Sequence, residues 1–509
     1  MRFLNLLRNT FYAICSGIVA GILAFAVRKA FVSYLPVELL GLEGFLVNVL
    51  NMLSLAEIGI STVISYGLYR ELANKNQQEI NMLMNIYRYV YFVLGIFVFL
   101  AGVVIFFTLP FIVHDKSVPW GYVQFVYCIQ LGIVLSSYFL AYKRTLFTAD
   151  QKDYKCIRID TVCTTVNNIC KLFAIIFVQS YVLYAISSLA FNIFANLLIA
   201  REIKKDYPFL HYVRITFSEM RKREFLKDVK NFFVHKVSYI VYGSTDAIVV
   251  SSILGLRMSG LLANYVLIEQ SVYKVIYKIL QGIIPTVGNL VYDDDRDKVL
   301  RIYMTLDFFY YLLGTYISCL YIVALQPFIC LFFGNELLLP DAYVFALAVN
   351  MLLGVQFENA YNFRSTHGCY EYDRKYMVAS AIANIVVSVV LVYKLGIVGI
   401  MIGTIFGFLF IGYGRVKFVF DNILHISKKD YLLNHLKKTM LSILEIMVIS
   451  SVVKYVDLPI TYINIVLNCV MSTLLMLALQ YAIFRNDDNW KDVLSYVGNI
   501  KNIIKELKL

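Results

Sequence analysis

Residues 28 to 76 read RKAFVSYLPVELLGLEGFLVNVLNMLSLAEIGISTVISYGLYRELANKN, and this stretch decides the fold. It holds the end of one apolar span, a tight Pro/Gly turn at Pro36 to Gly44, and a second span that carries Glu57 before closing on Arg70 and Lys75. In hydrocarbon, a carboxylate in mid-span or a cationic pair near a span's end costs roughly 2.5 to 3.5 kcal/mol on insertion scales. Such groups normally face protein or a water-filled cavity. A wet cavity inside an apolar protein is the first functional expectation.

Composition extends this reading to the whole chain. Its 509 residues are 60% hydrophobic and only 16% charged, against about 25% charged in ordinary globular chains. Each spanning helix needs about 20 apolar residues, and about fourteen such windows are present. They lie at 11–33, 45–68, 89–113, 121–142, 160–178, 182–200, 236–254, 260–282, 303–325, 341–360, 376–393, 397–418, 440–456 and 460–484. The first window lacks a small-residue cleavage site and runs straight into Arg28 and Lys29, so it reads as the first span and not as a signal peptide. The expected architecture is all-α and polytopic. An N-terminal six-helix bundle occupies 1–200, and a basic amphipathic linker over 201–231 lies on the inner leaflet. A second six-helix bundle occupies 232–418, followed by a basic loop over 419–439, two additional spans over 440–484 and an amphipathic tail over 485–509.

Charge placement sets the orientation. With both termini cytoplasmic, the inner loops collect Arg70, Lys75, Arg88, Lys143, Arg144, Lys152, Lys155, the run Arg221-Lys222-Arg223, Lys428, Lys429, Lys437 and Lys438, while the outer turns hold little beyond Lys116, Arg257 and Lys394. The formal net charge of +12 therefore reports topology and not a nucleic-acid partner. The basic loops also meet anionic lipid headgroups. Nine Cys without a CxxC pair argue against a disulfide framework and against zinc. Cys156, Cys163 and Cys170, seven apart, share one helix face and read as packing residues. No GxxxxGK[ST], HExxH or GxSxG motif is present and the six His show no ligand spacing, so neither an enzyme nor a cofactor is expected. A weak internal repeat aligns Ser33, Leu35 and Gly41-Leu42 with Ser252, Leu254 and Gly260-Leu261 at a constant offset. Transporters are often built from such paired halves.

Arg28, GLEG at Gly41 to Gly44, LSLAEIGI at Leu53 to Ile60 and LYRELANKN at Leu68 to Asn76 resemble the N-terminal signature of polysaccharide repeat-unit flippases of the Wzx type, which handle O-antigen and capsule units. That family belongs to the superfamily of the MATE exporters and the lipid II flippases. LFTADQKDY at Leu146 to Tyr154, YPFL at Tyr207 to Leu210, the stretch from His235 to Ile268, and PFICLFFGNELLLP at Pro327 to Pro340 extend the resemblance over nearly the whole chain. The chain departs from the family pattern at Pro36 and Glu43. The resemblance implies a flippase of the bacterial cytoplasmic membrane that moves undecaprenyl-diphosphate-linked oligosaccharide repeat units from the inner to the outer leaflet by alternating access. It also implies surrounding membrane lipids and other polysaccharide assembly proteins as partners.

A lipid-linked oligosaccharide carries an anionic diphosphate that must cross the hydrocarbon layer. Cations in a hydrated cavity offset its dehydration through charge-assisted hydrogen bonds. The candidates are Arg28, Lys29, Lys171, Lys236, Lys274, Lys278 and Arg364, with Arg28 and Lys274 foremost. In the alternative, Arg28 and Lys29 mark the outer end of the first span, Lys236 and Arg364 anchor the inner face, and Lys171 snorkels. Glu57, Asp246 and Glu269 either bind a coupling H+ or Na+ or neutralise the basic residues. A MATE-like cation or drug antiporter is the nearer rival and calls for a net acidic, aromatic cavity. A membrane polysaccharide polymerase calls for a long outer loop with catalytic groups, whereas every outer turn here is short.

Overall fold

Each apolar window closes its own backbone hydrogen bonds as a helix, which hydrocarbon demands of any chain that crosses it without a closed barrel. The computed structural model describes residues 2–53, 60–112, 117–214, 244–281, 284, 287, 295–367 and 370–495. Among them ten helices are long and apolar enough to cross a membrane, and none of the described residues forms a strand. The protein is an all-α, multi-pass membrane protein. Its lipid-facing surface is written in side chains such as Phe107, Phe111, Phe177 and Ile463, which stand exposed on the outside of their helices.

The chain runs α1 (Arg2–Tyr34), α2 (Val37–Leu53), α3 (Ile60–Ala73), α4 (Gln77–Ile112), α5 (Trp120–Leu140), α6 (Arg144–Ala149), α7 (Asp153–Ile176) and α8 (Tyr181–Asp206). After residues 215–243 come α9 (Ser244–Leu254) and α10 (Leu256–Gln281). The rest is α11 (Arg296–Phe332), α12 (Asp341–Gln356), α13 (Glu358–Thr366), α14 (Tyr370–Leu395), α15 (Ile397–Phe418), α16 (Lys429–Val456) and α17 (Tyr462–Phe484). Glu57 and Lys236 lie outside the described residues, as do most of the basic linker and the end of the tail. The start of the linker is described: residues 207–214 are held to α4 by the Asn81 side chain, which accepts from the His211 N–H at 3.0 Å, and by Asn85, which accepts from the Val213 N–H at 3.1 Å.

Two compact units emerge, Met1–Leu267 and Ile268–Leu509, so the division falls inside α10 and not in the basic linker. Two further boundaries differ from the sequence reading. The polar stretch 419–439 is largely helical, because α15 continues through a π-turn to Leu424 and α16 begins at Lys429. Tyr431 and His435 on that early part of α16 are buried, so packing extends the helices beyond their apolar cores.

The second difference is at Pro36 to Gly44. The turn is confined to Leu35 and Pro36, and GLEG lies within α2. Gly41 serves a helix crossing: a Cβ there would stand 1.9 Å from the Leu256 carbonyl oxygen of α10. Gly260 does the reciprocal thing, since a Cβ on it would meet the Val37 carbonyl oxygen at 2.2 Å. Gly41 with Gly260 and Val37 with Leu256 obey the same offset as the sequence repeat, so the two copies cross as a pseudo-twofold pair. Glu38 and Arg257, again related by that offset, close an ion pair beside it at 3.6 Å. Small residues permit such close backbone approach between membrane helices.

Gly41→Ala and Gly260→Ala are each expected to destabilise the protein by about 1 to 3 kcal/mol through overpacking. The double variant should cost less than the sum, because one displacement relieves both clashes. Thermal unfolding in detergent checks this, and an unchanged Tm in both single variants contradicts the crossing.

Candidate functional site

The sequence places cations in apolar helices, and the fold of the first unit brings two of them together. Arg28 is on α1 and Lys171 on α7, and both line one cavity of about 160 Å3 with Asn168 of α7, Tyr184 of α8 and Phe31 of α1. The volume holds several water molecules. Ala24, Val27, Leu40 and Leu267 complete an apolar wall. Lys171 sits three residues after Asn168, which is the helical spacing that puts both on one face.

The charges are balanced only in part. Lys171 Nζ lies over the Tyr184 ring, 4.3 Å from its centroid, a cation–π contact worth about 0.5 to 2 kcal/mol depending on desolvation. The Tyr184 hydroxyl donates to Glu43 Oε2 at 3.5 Å. Glu43 also acts electrostatically on both Arg28 and Lys171, so one carboxylate serves two cations. Arg28 Nη1 is buried and has no hydrogen-bond partner. A guanidinium nitrogen left so forfeits charge-assisted bonding and incurs a desolvation cost. Phe31 fixes the wall by meeting the Tyr184 ring edge-on at 5.6 Å, and Tyr181 stacks on Tyr184 at 5.5 Å. Two cations thus share a single carboxylate within reach of one small cavity.

The other sequence candidates are distributed. Lys29 is half-buried on α1, Asp246 half-buried on α9 and Glu269 half-buried on α10. Lys274 and Lys278 have exposed side chains on the part of α10 that belongs to the second unit. Arg364 on α13 is buried and lies 5.1 Å from the Tyr361 ring centroid, and Arg415 of α15 shares that ring at 4.6 Å. The structure thus groups Arg28 with Lys171, and Arg364 with Arg415. Sequence reasoning missed Asn168 and Tyr184 as pocket residues and Glu43 as the carboxylate that reaches Tyr184 beside them. The departure from the family pattern at Glu43 and the spacing of Asn168 to Lys171 were the available signals.

Two stretches that carried the resemblance meet at the α6–α8 end of the first unit. Tyr207 donates to Asp150 Oδ2 at 2.6 Å, Lys152 pairs with Asp150 at 2.7 Å and Lys155 with Asp206 at 2.6 Å. Burial, then Asp150, raises the Tyr207 pKa well above the ordinary tyrosine value, so the phenol stays a donor. Arg144 grips Asp160 with both terminal nitrogens at 2.6 and 2.9 Å. Every one of these charges has a partner, which marks the cluster as a structural clasp.

No family model and no curated protein sequence matches the chain. Solved structures do match. The lipid II flippase MurJ in an inward closed conformation superposes with a TM-score of 0.68 at 12% identity, covering 94% of this chain and 99% of that one. An inward-facing multidrug resistance MATE family transporter of the MOP superfamily gives 0.58 at 12% identity over 79% of this chain and 98% of that one. A MATE structure in a bent conformation gives 0.51 at 14% identity, over 79% and 93%. The class defined by these helices is a polytopic membrane transporter fold. More particularly, it is the fold shared by the lipid II flippase MurJ and the MATE transporters.

Arg28→Gln is expected to weaken pyrophosphate binding to the protein in nanodiscs about tenfold or more, since a hydrogen bond to a charged group contributes about 1.5 to 3 kcal/mol. Glu43→Gln should strengthen it, because the competing carboxylate is gone. Calorimetric titration reads both, and equal affinities in all three proteins contradict an anion pocket.

Proposed function

We propose that this protein is a flippase for a lipid-linked oligosaccharide, moving an undecaprenyl-diphosphate-linked repeat unit from the inner to the outer leaflet by alternating access. The observation that carries the reading is the Arg28–Lys171 pair in one cavity, with a buried Arg28 nitrogen lacking a hydrogen-bond partner. A diphosphate supplies the acceptor that this nitrogen lacks and further acceptors for the Lys171 ammonium, and its charge offsets the incomplete neutralisation by Glu43. The structural likeness to a lipid II flippase supports the substrate class. The sequence resemblance supports the glycan repeat unit and assembly at the bacterial cell surface. Lys29, Lys236, Lys274, Lys278 and Arg364 are proposed to guide the anion along the rest of its path, with Glu57, Asp246 and Glu269 balancing charge or binding a coupling ion.

The rival, a cation antiporter, draws support from Tyr184 in that cavity, from Glu43 that accepts its hydroxyl, and from the MATE likeness. Two cations facing one carboxylate favour an anionic substrate. Outward movement of each net negative charge gains about 2.3 kcal/mol per 100 mV when the interior is negative, so potential alone can drive export.

In proteoliposomes, export of a lipid-linked diphosphate glycan is expected to slow at least about tenfold in Arg28→Ala and in Lys171→Ala, the loss of about 1.4 kcal/mol or more of charge-assisted bonding. It should accelerate under an inside-negative potential. Unchanged rates in both variants remove the diphosphate role, and potential-independent uptake of an organic cation instead selects the antiporter.

A further inference from the structure

A second buried charge lies in the second unit, where α11, α16 and α17 meet. Glu445 of α16 is 3% exposed and Gln480 of α17 is 4% exposed. Both Glu445 oxygens and the Gln480 Nε2 are buried without a hydrogen-bond partner. Tyr311 of α11 and Gln480 face the carboxylate within weak hydrogen-bonding reach, though neither closes a well-formed hydrogen bond to it. Cys319 and Tyr316 of α11 and Cys469 of α17 are the other titratable groups among the described residues at this seam, Tyr316 sharing a hydrogen bond with Thr473 of α17. Hydrophobic neighbours Leu352 of α12, Ile446, Ile449 and Met476 surround it. The lysines of α16 are distant: Lys438 and Lys454 lie seven and nine residues away, about 10 and 14 Å along the axis.

An ionised carboxylate in such a place, without a cation, costs several kcal/mol, and neutral hydroxyls and amides return only part of it. A proton on one oxygen removes that cost and needs no added space, whereas a sodium ion needs a cage of oxygens.

A polar ladder leads to the site from the end where α11 and α16 begin. Tyr303 donates to Tyr431 at 3.4 Å, Tyr431 donates to Asp307 at 2.5 Å, and Lys438 approaches Asp307 at 3.9 Å. His435 stacks on Tyr431 at 5.7 Å. One turn further, Thr439 donates to Gln356 at 2.9 Å, and Thr315 and Ser442 share a hydrogen bond at 2.7 Å directly below Glu445.

We propose that Glu445 is a reversible proton-binding site in the α11/α16/α17 seam, loaded along the ladder that starts at Asp307, Tyr431 and His435. Binding converts the carboxylate and a hydronium ion to a carboxylic acid and water. The neutral acid lets the seam close. Its loss leaves a bare carboxylate that draws in Tyr311 and Gln480 or admits water. The site belongs to the second unit, and the proposal does not rest on what the Arg28–Lys171 cavity carries.

Infrared difference spectroscopy on the full-length protein in nanodiscs, stepped between acid and alkaline pH in sodium-free buffer, tests this. A protonated-carboxyl C=O band is expected in the parent, absent in Glu445→Gln and retained in Asp297→Asn, which alters an exposed carboxylate. Tyr311→Phe and Gln480→Leu, which keep the carboxyl, should shift the band without abolishing it, and they serve if Glu445→Gln does not fold. A band intact in Glu445→Gln, a band unmoved in both neighbour variants, or one that answers to added sodium and not to pH overturns the proposal.

Discussion

An ion taken out of water without a partner costs several kcal/mol, and the charged groups of this protein sort by how they meet that cost. At the α6–α8 end of the first unit, Arg144, Lys152 and Lys155 each hold a carboxylate within 2.7 Å. Those pairs are complete and hold structure together. Arg28 and Lys171 are different: they share Glu43, lean on Tyr184 and leave a guanidinium nitrogen unbonded. Incomplete neutralisation inside an apolar wall is what an anionic cargo would complete.

The helix crossing and the pocket are mechanically joined through α2. Gly41 and Glu43 stand two residues apart on that helix, the first locked against the Leu256 carbonyl and the second reaching the Tyr184 hydroxyl. A shift at the crossing therefore moves the carboxylate that moderates Arg28 and Lys171.

Much of this was legible in the residues. Long apolar windows gave the helical, multi-pass class, because hydrocarbon leaves a chain few other ways to satisfy its backbone. Seven cations, Arg28 and Lys274 foremost and Lys171 among the rest, stood out because a cation in such a window is rare and costly, but only packing shows that Arg28 shares a cavity with Lys171 and not with Lys274. Other features were hidden for physical reasons. Gly41 and Gly44 beside Pro36 look like turn chemistry, yet Gly41 makes room for a neighbouring backbone, and only the partner helix reveals that. Tyr184 is one aromatic among many, and its function arises from Lys171 above its ring. The stretch 419–439 is polar enough to pass for a loop, but burial of Tyr431 and His435 keeps it helical.

Imaging the protein in nanodiscs with a lipid-linked diphosphate bound, by electron cryomicroscopy, tests the central claim most directly. The account predicts density for the two phosphates between Arg28 and Lys171, with Glu43 held by Tyr184. Phosphate density against the exposed Lys274 and Lys278, with the Arg28 cavity unchanged, would contradict it.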